Sequence, residues 1–368
     1  MKLISRRKIG HACSRAARRG FAVLILAALA LSCRSSRYTK IDVHSHLAAE
    51  ALPRAIELMD RNGIAAAVNL SGGVPGRGLE EQLKAAAKYP GRIIVFAELD
   101  WYEPSLGRGY GERMAKSVVR AHELGAAGLQ IPRGLGIGFR DFNGDLIRID
   151  QVDLDPIFEK AAELGMPVAI HTGAPVAFWQ PAIARNERYE ELKVQPELSL
   201  YDAAPPWETL FLGLERRIAR HPKCKFISVH FGNAAEYPER VAGLLNKYPN
   251  LYIDTAGRVP ELGRHPAPEM SRLIAGHADR ILFGSDLTLG RDANDIVLSS
   301  RGASPPTQAE IDHFFSATWK YFESKAEGFD HPTPIQGKWK ISGVGLPADV
   351  LQKIYAANAR RLLKLTNP

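Results

Sequence analysis

Five side chains in this sequence are of types that could build a metal centre: His44, His46, His171, His230 and Asp286. Four of them end three short apolar or β-branched runs, and Asp286 follows a fourth. The runs are Lys40 to His44, continuing to His46, then Met166 to His171, Lys225 to His230, and Arg280 to Gly284. His44-Ser45-His46 has the spacing that two ligands need on a strand, because residues two apart project to one side. On that reading Ile41 and Val43 face the other way, towards helices. Imidazole nitrogens bind a borderline-soft divalent ion such as zinc at about 2.0–2.1 Å, and a carboxylate such as Asp286 completes a site with room for water. A lone His-x-His is ordinary strand polarity; the coincidence of all five strand-end positions is what points to a metal.

The elements that must bring these residues together alternate regularly. Further apolar runs at Ile64 to Leu70, Arg92 to Glu98, Ala126 to Ile131 and Leu251 to Asp254 make eight in all. Amphipathic stretches lie between them at 49–62, 78–89, 112–124, 155–165, 206–221, 235–248 and 267–277. In one of them Asp155 is placed to cap, Pro156 suits the first turn and Gly165 the C-terminal end. Strand-helix alternation argues for βαβ units and a parallel sheet, and eight repeats fit a (β/α)₈ TIM barrel, an α/β fold whose strands all end at one face. Three connections, 132–151, 172–205 and 287–347, are long enough to be loops forming walls or a lid over that face. The second carries Trp179, Tyr189 and Tyr201.

Several segments together resemble the amidohydrolase superfamily, in particular the amidohydrolase-related group that includes aminocarboxymuconate semialdehyde decarboxylase. They are Ile41-Asp42-Val43-His44-Ser45-His46, Pro167-Val168-Ala169-Ile170-His171-Thr172-Gly173, Phe226-Ile227-Ser228-Val229-His230-Phe231-Gly232, Leu251-Tyr252-Ile253-Asp254-Thr255, Gly284-Ser285-Asp286 and Ala357-Asn358-Ala359-Arg360-Arg361-Leu362-Leu363. They stand in family order across residues 39–366. The resemblance implies that His44, His46, His171 and Asp286 hold one divalent ion, Zn²⁺ first, with Mn²⁺ or Fe²⁺ as alternatives. It also implies that His230 lies beside the water on that ion and that Asp286 both ligates and takes a proton. Binuclear relatives carry a carboxylated lysine or a glutamate at the end of the fourth strand, where this chain has Gly128-Leu129-Gln130-Ile131-Pro132-Arg133, so one metal is expected. Such a centre lowers the pKa of bound water towards about 7 and hydrolyses amides, lactones or esters. The same groups in decarboxylating relatives act on aromatic or unsaturated acids, so a carboxy-lyase is the alternative. A non-catalytic metal-binding surface lipoprotein that keeps the barrel but has lost turnover is a third reading, and relatives are often homodimers.

Arg133 and Arg258 follow the fourth and seventh strands, where a guanidinium could clamp a substrate carboxylate; Trp179 could stack on a substrate ring or pack the lid. Asp254 reads as a structural hydrogen-bond acceptor, and Asn233 as a lesser candidate for substrate contact. The run Arg216, Arg217, Arg220 and Lys223 reads as the solvated end of a helix.

The chain has 368 residues with 45% hydrophobic and 24% charged, a globular composition, and a formal charge of +8. Seven Lys and Arg fall within residues 1–32 with no acid, which leaves +1 for the remainder and removes the case for a nucleic-acid partner. The expected partner is a small molecule. Residues 1–32 read as an export leader: a cationic stretch, then Phe21 to Leu31, too short to span a bilayer. Ala30-Leu31-Ser32-Cys33 resembles a lipobox, and Arg18-Arg19 a twin-arginine signal. The expected organisation is a leader at 1–32, a spacer at 33–38 and a barrel at 39–368, with a periplasmic protein or one tethered to the membrane by a lipidated Cys33. Cys224 alone lies inside the body, so no disulfide framework is expected.

Overall fold

The computed structural model describes residues 38–365, and the leader, lipobox and twin-arginine readings lie outside them. Among the described residues no helix is long and apolar enough to cross a membrane. Eight parallel strands follow one another in the sheet in chain order: β1 (Lys40–Leu47), β2 (Ile64–Asn69), β3 (Ile93–Glu98), β4 (Gly128–Ile131), β5 (Val168–Ile170), β6 (Phe226–Ser228), β7 (Leu251–Asp254) and β8 (Ile281–Leu282). The sheet closes on itself because Val43 N donates to Phe283 O at 2.9 Å and Asp286 N donates to His44 O at 2.8 Å. Beyond the Gly284-Ser285-Asp286 interruption, β9 (Leu287–Leu289) resumes the eighth stave and pairs parallel with β1, and β10 (Ile296–Leu298) turns back against β9. The result is a TIM barrel, as eight strand-helix repeats predict.

Two layers of core follow from the period-2 alternation of buried strands. Phe226, Leu251, Ile281 and their equivalents face the helices, while Ile94, Phe96, Ala169, Ile227 and Leu282 fill the barrel. Leu362, Leu363 and Leu365 pack against that interior cluster, and Asn358 Nδ2 donates to Ala278 O and Ile281 O, so the C-terminal segment closes the end of the barrel where strands begin. Each large side chain fully withdrawn from water contributes about 1.5–3 kcal/mol.

Four expectations are corrected. Ile41 and Val43 do not face the helices; both belong to the interior cluster. Between Asp42 and Ser45 the first strand advances three residues while β2 advances two, Ala67 to Asn69. This bulge reverses the parity of the strand, so that His44 and His46 project into the mouth on the same side as Val43. The connection 287–347 is not a loop: besides β9 and β10 it holds a helix, Gln308–Glu323, opened by a capping box. Glu310 N donates to Thr307 Oγ1 while Thr307 N donates to Glu310 Oε2. Asp155 caps nothing; its carboxylate instead accepts from Arg217, Arg220 and His221, and Arg217 is fully buried, not solvated.

Candidate metal centre

β1 and the end of the eighth stave are tied together by Asp42. Its Oδ1 accepts His44 N at 3.0 Å and Ser285 N at 2.9 Å, and its Oδ2 accepts Ser285 Oγ at 2.5 Å. This fixes the backbone on either side of the ligand positions, although they are 240 residues apart in sequence. Asp286 itself sits at φ +64° and His230 at φ +56°, left-handed backbone that costs a non-glycine residue about 1–3 kcal/mol and persists where surrounding contacts overdetermine it. For His230 those contacts are its own N donating to Asp254 Oδ1 at 2.7 Å and its Nδ1 on Ala256 O at 2.8 Å.

His44 Nε2 lies 3.4 Å and His46 Nε2 3.8 Å from Asp286 Oδ1. Two ligands at about 2.1 Å from a tetrahedral ion stand about 3.4 Å apart, so these three atoms fit a divalent cation. The other ring nitrogens are spoken for: His44 Nδ1 donates to Asp254 Oδ2 at 2.9 Å, and His46 Nδ1 meets Ser71 Oγ at 2.8 Å. Each Nε2 thus keeps its lone pair for a metal, the carboxylate-histidine arrangement of metal sites. His44, His230 and Asp254 form a second close group, but Asp254 is already filled by His44 Nδ1–H, His230 N–H and Ala256 N–H, which makes it an orienting group. Its expected role as a structural acceptor holds.

The four imidazoles form a continuous row, with ring centres 5.3 Å apart for His46 and His44, 4.6 Å for His44 and His230, and 4.5 Å for His230 and His171. His171 thus borders the site at the far end of the row and is not among the three converging ligand atoms. Burial lowers His46 to about 3, reinforced by His44, and drives His171 and His230 well down as well, so these rings are neutral, as ligands and proton acceptors must be. Burial opposes charge on His44 too, yet the Asp254, Asp286 and Asp42 carboxylates outweigh it and raise its pKa. Burial raises Asp286 to about 7 against the pull of His44 and Arg258.

Arg133 and Arg258 lie close enough to lower the basicity of His171. Arg258 is buried and held by Gly257 O and Asn233 Oδ1. Arg133, half-buried, makes no hydrogen bond or ion pair with any described residue. Trp179 gives its indole N–H to Pro205 O at 2.8 Å and packs against the small cluster of Ala174, Phe178, Leu192 and Leu200, its ring edge reaching towards Gly173 beside His171. Gln130, buried at the end of β4, has an Oε1 without a partner among the described residues. Sequence reasoning passed over Ser71, whose only signal is its place just after β2, and Asp42.

The amidohydrolase family profile matches residues 41–365, almost the whole described chain. The chain belongs to the amidohydrolase family. Among solved structures this amidohydrolase is similar in fold to 2,6-dihydroxybenzoate decarboxylase from Rhizobium, at 18% identity over 89% of this chain and 99% of that one, with a TM-score of 0.52. It is equally similar to dihydroxybenzoic acid decarboxylase from Polaromonas sp. JS666 with bound manganese and 2-nitroresorcinol, at 18% identity over 90% and 98% of the chains and a TM-score of 0.52. A third is 5-carboxyvanillate decarboxylase from Novosphingobium aromaticivorans, at 16% identity, 89% and 97% coverage and a TM-score of 0.50. No curated protein matches the amidohydrolase.

Proposed function

We propose that this amidohydrolase is a metal-dependent hydrolase of a small amide, lactone or ester that carries a carboxylate. The observation that carries the reading is the convergence of His44 Nε2, His46 Nε2 and Asp286 Oδ1 beside the neutral rings of His171 and His230. His44, His46 and Asp286 would hold one divalent ion, with His171 as the fourth ligand; Zn²⁺ is the first choice, and manganese in a structural neighbour keeps Mn²⁺ beside it. When bound, the ion supplies a Lewis acid that polarises the carbonyl and acidifies water. Asp286 takes the proton of the attacking water and returns it to the leaving group. His230 spends Nδ1–H on Ala256 O, so Nε2 presents a lone pair and orients the same water by accepting its other hydrogen. Arg133, unpaired at the rim, receives the substrate carboxylate bidentately, with Arg258 behind it.

A second reading, non-oxidative decarboxylation, is favoured by the same arginines, since they would seat a carboxylate next to the metal. The decarboxylases among the structural neighbours make aromatic acids its first substrates to try. Incubation of the metal-loaded protein with carboxylated lactones, amides and aromatic acids in H₂¹⁸O separates the two. Hydrolysis places ¹⁸O in the product without releasing CO₂, whereas CO₂ release without ¹⁸O uptake overturns the first choice. The leader reading adds export and a lipid tether at Cys33 to this proposal, tested by palmitate labelling of wild type against Cys33→Ala.

A further inference from the structure

The two ends of the barrel differ in charge. The helix ends and connections that lead into β2 to β8 span residues 60–63, 87–92, 122–127, 163–167, 219–225, 246–250 and 277–280. Together with the C-terminal segment 358–365 they carry eleven Lys and Arg against four Asp and Glu. Residues 38–365 as a whole carry −1, so a surplus of seven positive charges where the strands begin leaves −8 for the flanks and the mouth. Helix C-termini favour cations, which accounts for Arg61, Arg220 and Lys247; these sit in last helical turns and pair with Asp312, Asp155 and Glu215.

The same cause does not reach Lys88, Lys223, Lys225 and Lys364. They stand beyond the helix ends, all four are exposed, and none forms a hydrogen bond or ion pair with any described residue. Lys364 Nζ lies 3.3 Å from the point that a Cβ on Gly165 would occupy, so this lysine is set over the connection into β5. β5 pairs with β6, whose own connection carries Lys223 and Lys225. The four acids of this end are already answered: Asp60 by Arg92, Glu123 by Arg120, Glu163 by Lys160 and Asp279 by Lys353. The free lysines are spread over the connections into β3, β5 and β6, an arrangement that matches an anionic plane better than one small anion.

We infer that this end of the barrel docks on an anionic lipid surface, its free lysines meeting lipid phosphates. The course of the chain favours a membrane over a nucleic acid. Tyr38, the first described residue, is buried at this same end, and Cys33 precedes it by five residues, at most about 18 Å of extended backbone. A lipid on Cys33 belongs to the export reading above, whereas the charge of this end stands without it. Every strand ends at the opposite face, so docking turns the metal centre towards the aqueous side, a consequence that rests on the proposed function.

The test uses the full-length chain with Cys33→Ala, which cannot carry the lipid, and vesicles of phosphatidylcholine alone or with one-third phosphatidylglycerol. Sedimentation should show binding to the anionic vesicles that falls away between about 0.1 M and 0.5 M salt, as screening shortens the reach of the lysines. A lysine near an anionic surface is worth about fivefold in affinity, so Lys88→Gln/Lys223→Gln/Lys225→Gln/Lys364→Gln should bind about 100–600-fold more weakly. Its Tm should not change, because no partner is lost. The cationic stretch before residue 20 is identical in both proteins, so their difference reads the barrel alone. In the bound protein, acetylation of the four lysines followed by mass spectrometry should slow, while Lys193 and Lys338, exposed beyond the strand ends, react as in free protein. Equal affinity of the two proteins for anionic vesicles, unslowed acetylation of the four lysines, or tighter binding to a short DNA duplex than to the vesicles at the same salt would overturn the assignment.

Discussion

Asp254→Asn is the sharpest perturbation of the centre, because it replaces a single oxygen by NH₂ at a residue that touches no metal. Three donors converge on the Asp254 carboxylate: His44 Nδ1–H at 2.9 Å on Oδ2, and His230 N–H at 2.7 Å with Ala256 N–H at 3.1 Å on Oδ1. Asparagine keeps one oxygen, which the two backbone donors require, and turns its NH₂ towards His44. The imidazole then accepts at Nδ1 and carries its proton on Nε2, the atom that faces Asp286 Oδ1 at 3.4 Å and is needed as a ligand. Loss of such an orienting partner costs about 10–100-fold in metal affinity, about 1.4–2.7 kcal/mol. Chelator competition with Zn²⁺ and with Mn²⁺ measures the loss directly, and circular dichroism of the metal-free protein checks that the near-isosteric variant is folded. A folded Asp254→Asn protein whose affinity stays within about threefold of wild type, short of that 10–100-fold loss, would refute the tautomer argument and with it the role given to His44.

The remaining expectations are simpler. Elemental analysis of the purified protein should find about one divalent ion per chain and none in His44→Ala/His46→Ala; two would mean that Gln130 does not exclude a second site. Arg133→Met should weaken binding of glutarate, followed by calorimetry, about 10–100-fold, while leaving Tm unchanged because Arg133 has no partner among the described residues to lose. Burial opposes ionisation of Asp155, but Arg217 and Arg220 override it and hold its carboxyl below the ordinary 3.8. A depressed folded-state pKa stabilises above the unfolded value and is lost as pH falls through the folded one. Acid unfolding of wild type should therefore include a component below pH 3.8 that Asp155→Asn lacks, and the variant should melt lower at pH 7.

The eight strands and the seven helices between them were legible because each is a local pattern. A run such as Phe226-Ile227-Ser228 can be withdrawn from water only as buried strand, and Asp155–Leu164 with Gly165 at φ +68° only as a helix with a left-handed stop. The strand-end positions of His44, His171, His230 and Asp286 were legible for the same reason, since the fold sends every strand end to one face. The helix Gln308–Glu323 was passed over although Thr307-Gln308-Ala309-Glu310 spells its capping box, because the preceding strands β9 and β10 are three residues each and too short to announce themselves.

What the sequence alone determined is the barrel and the ligand types; the tertiary structure decided which atoms meet. His44 and His46 point into the mouth only because one extra residue in β1 shifts its register against β2, an event that no single strand's alternation contains. Asp254 selects the tautomer of His44 from 210 residues away, and Asp42 joins β1 to Ser285, the neighbour of Asp286, across the closure of the barrel. Arg217 looked like a surface cation and is buried among acceptors that arrive from another unit of the fold, Ile149 O and Asp155. Periodicity reports the face a residue turns to its own element; hydrogen-bond partners and unpaired donors are set by chain segments far apart in sequence, and only their packing fixes them.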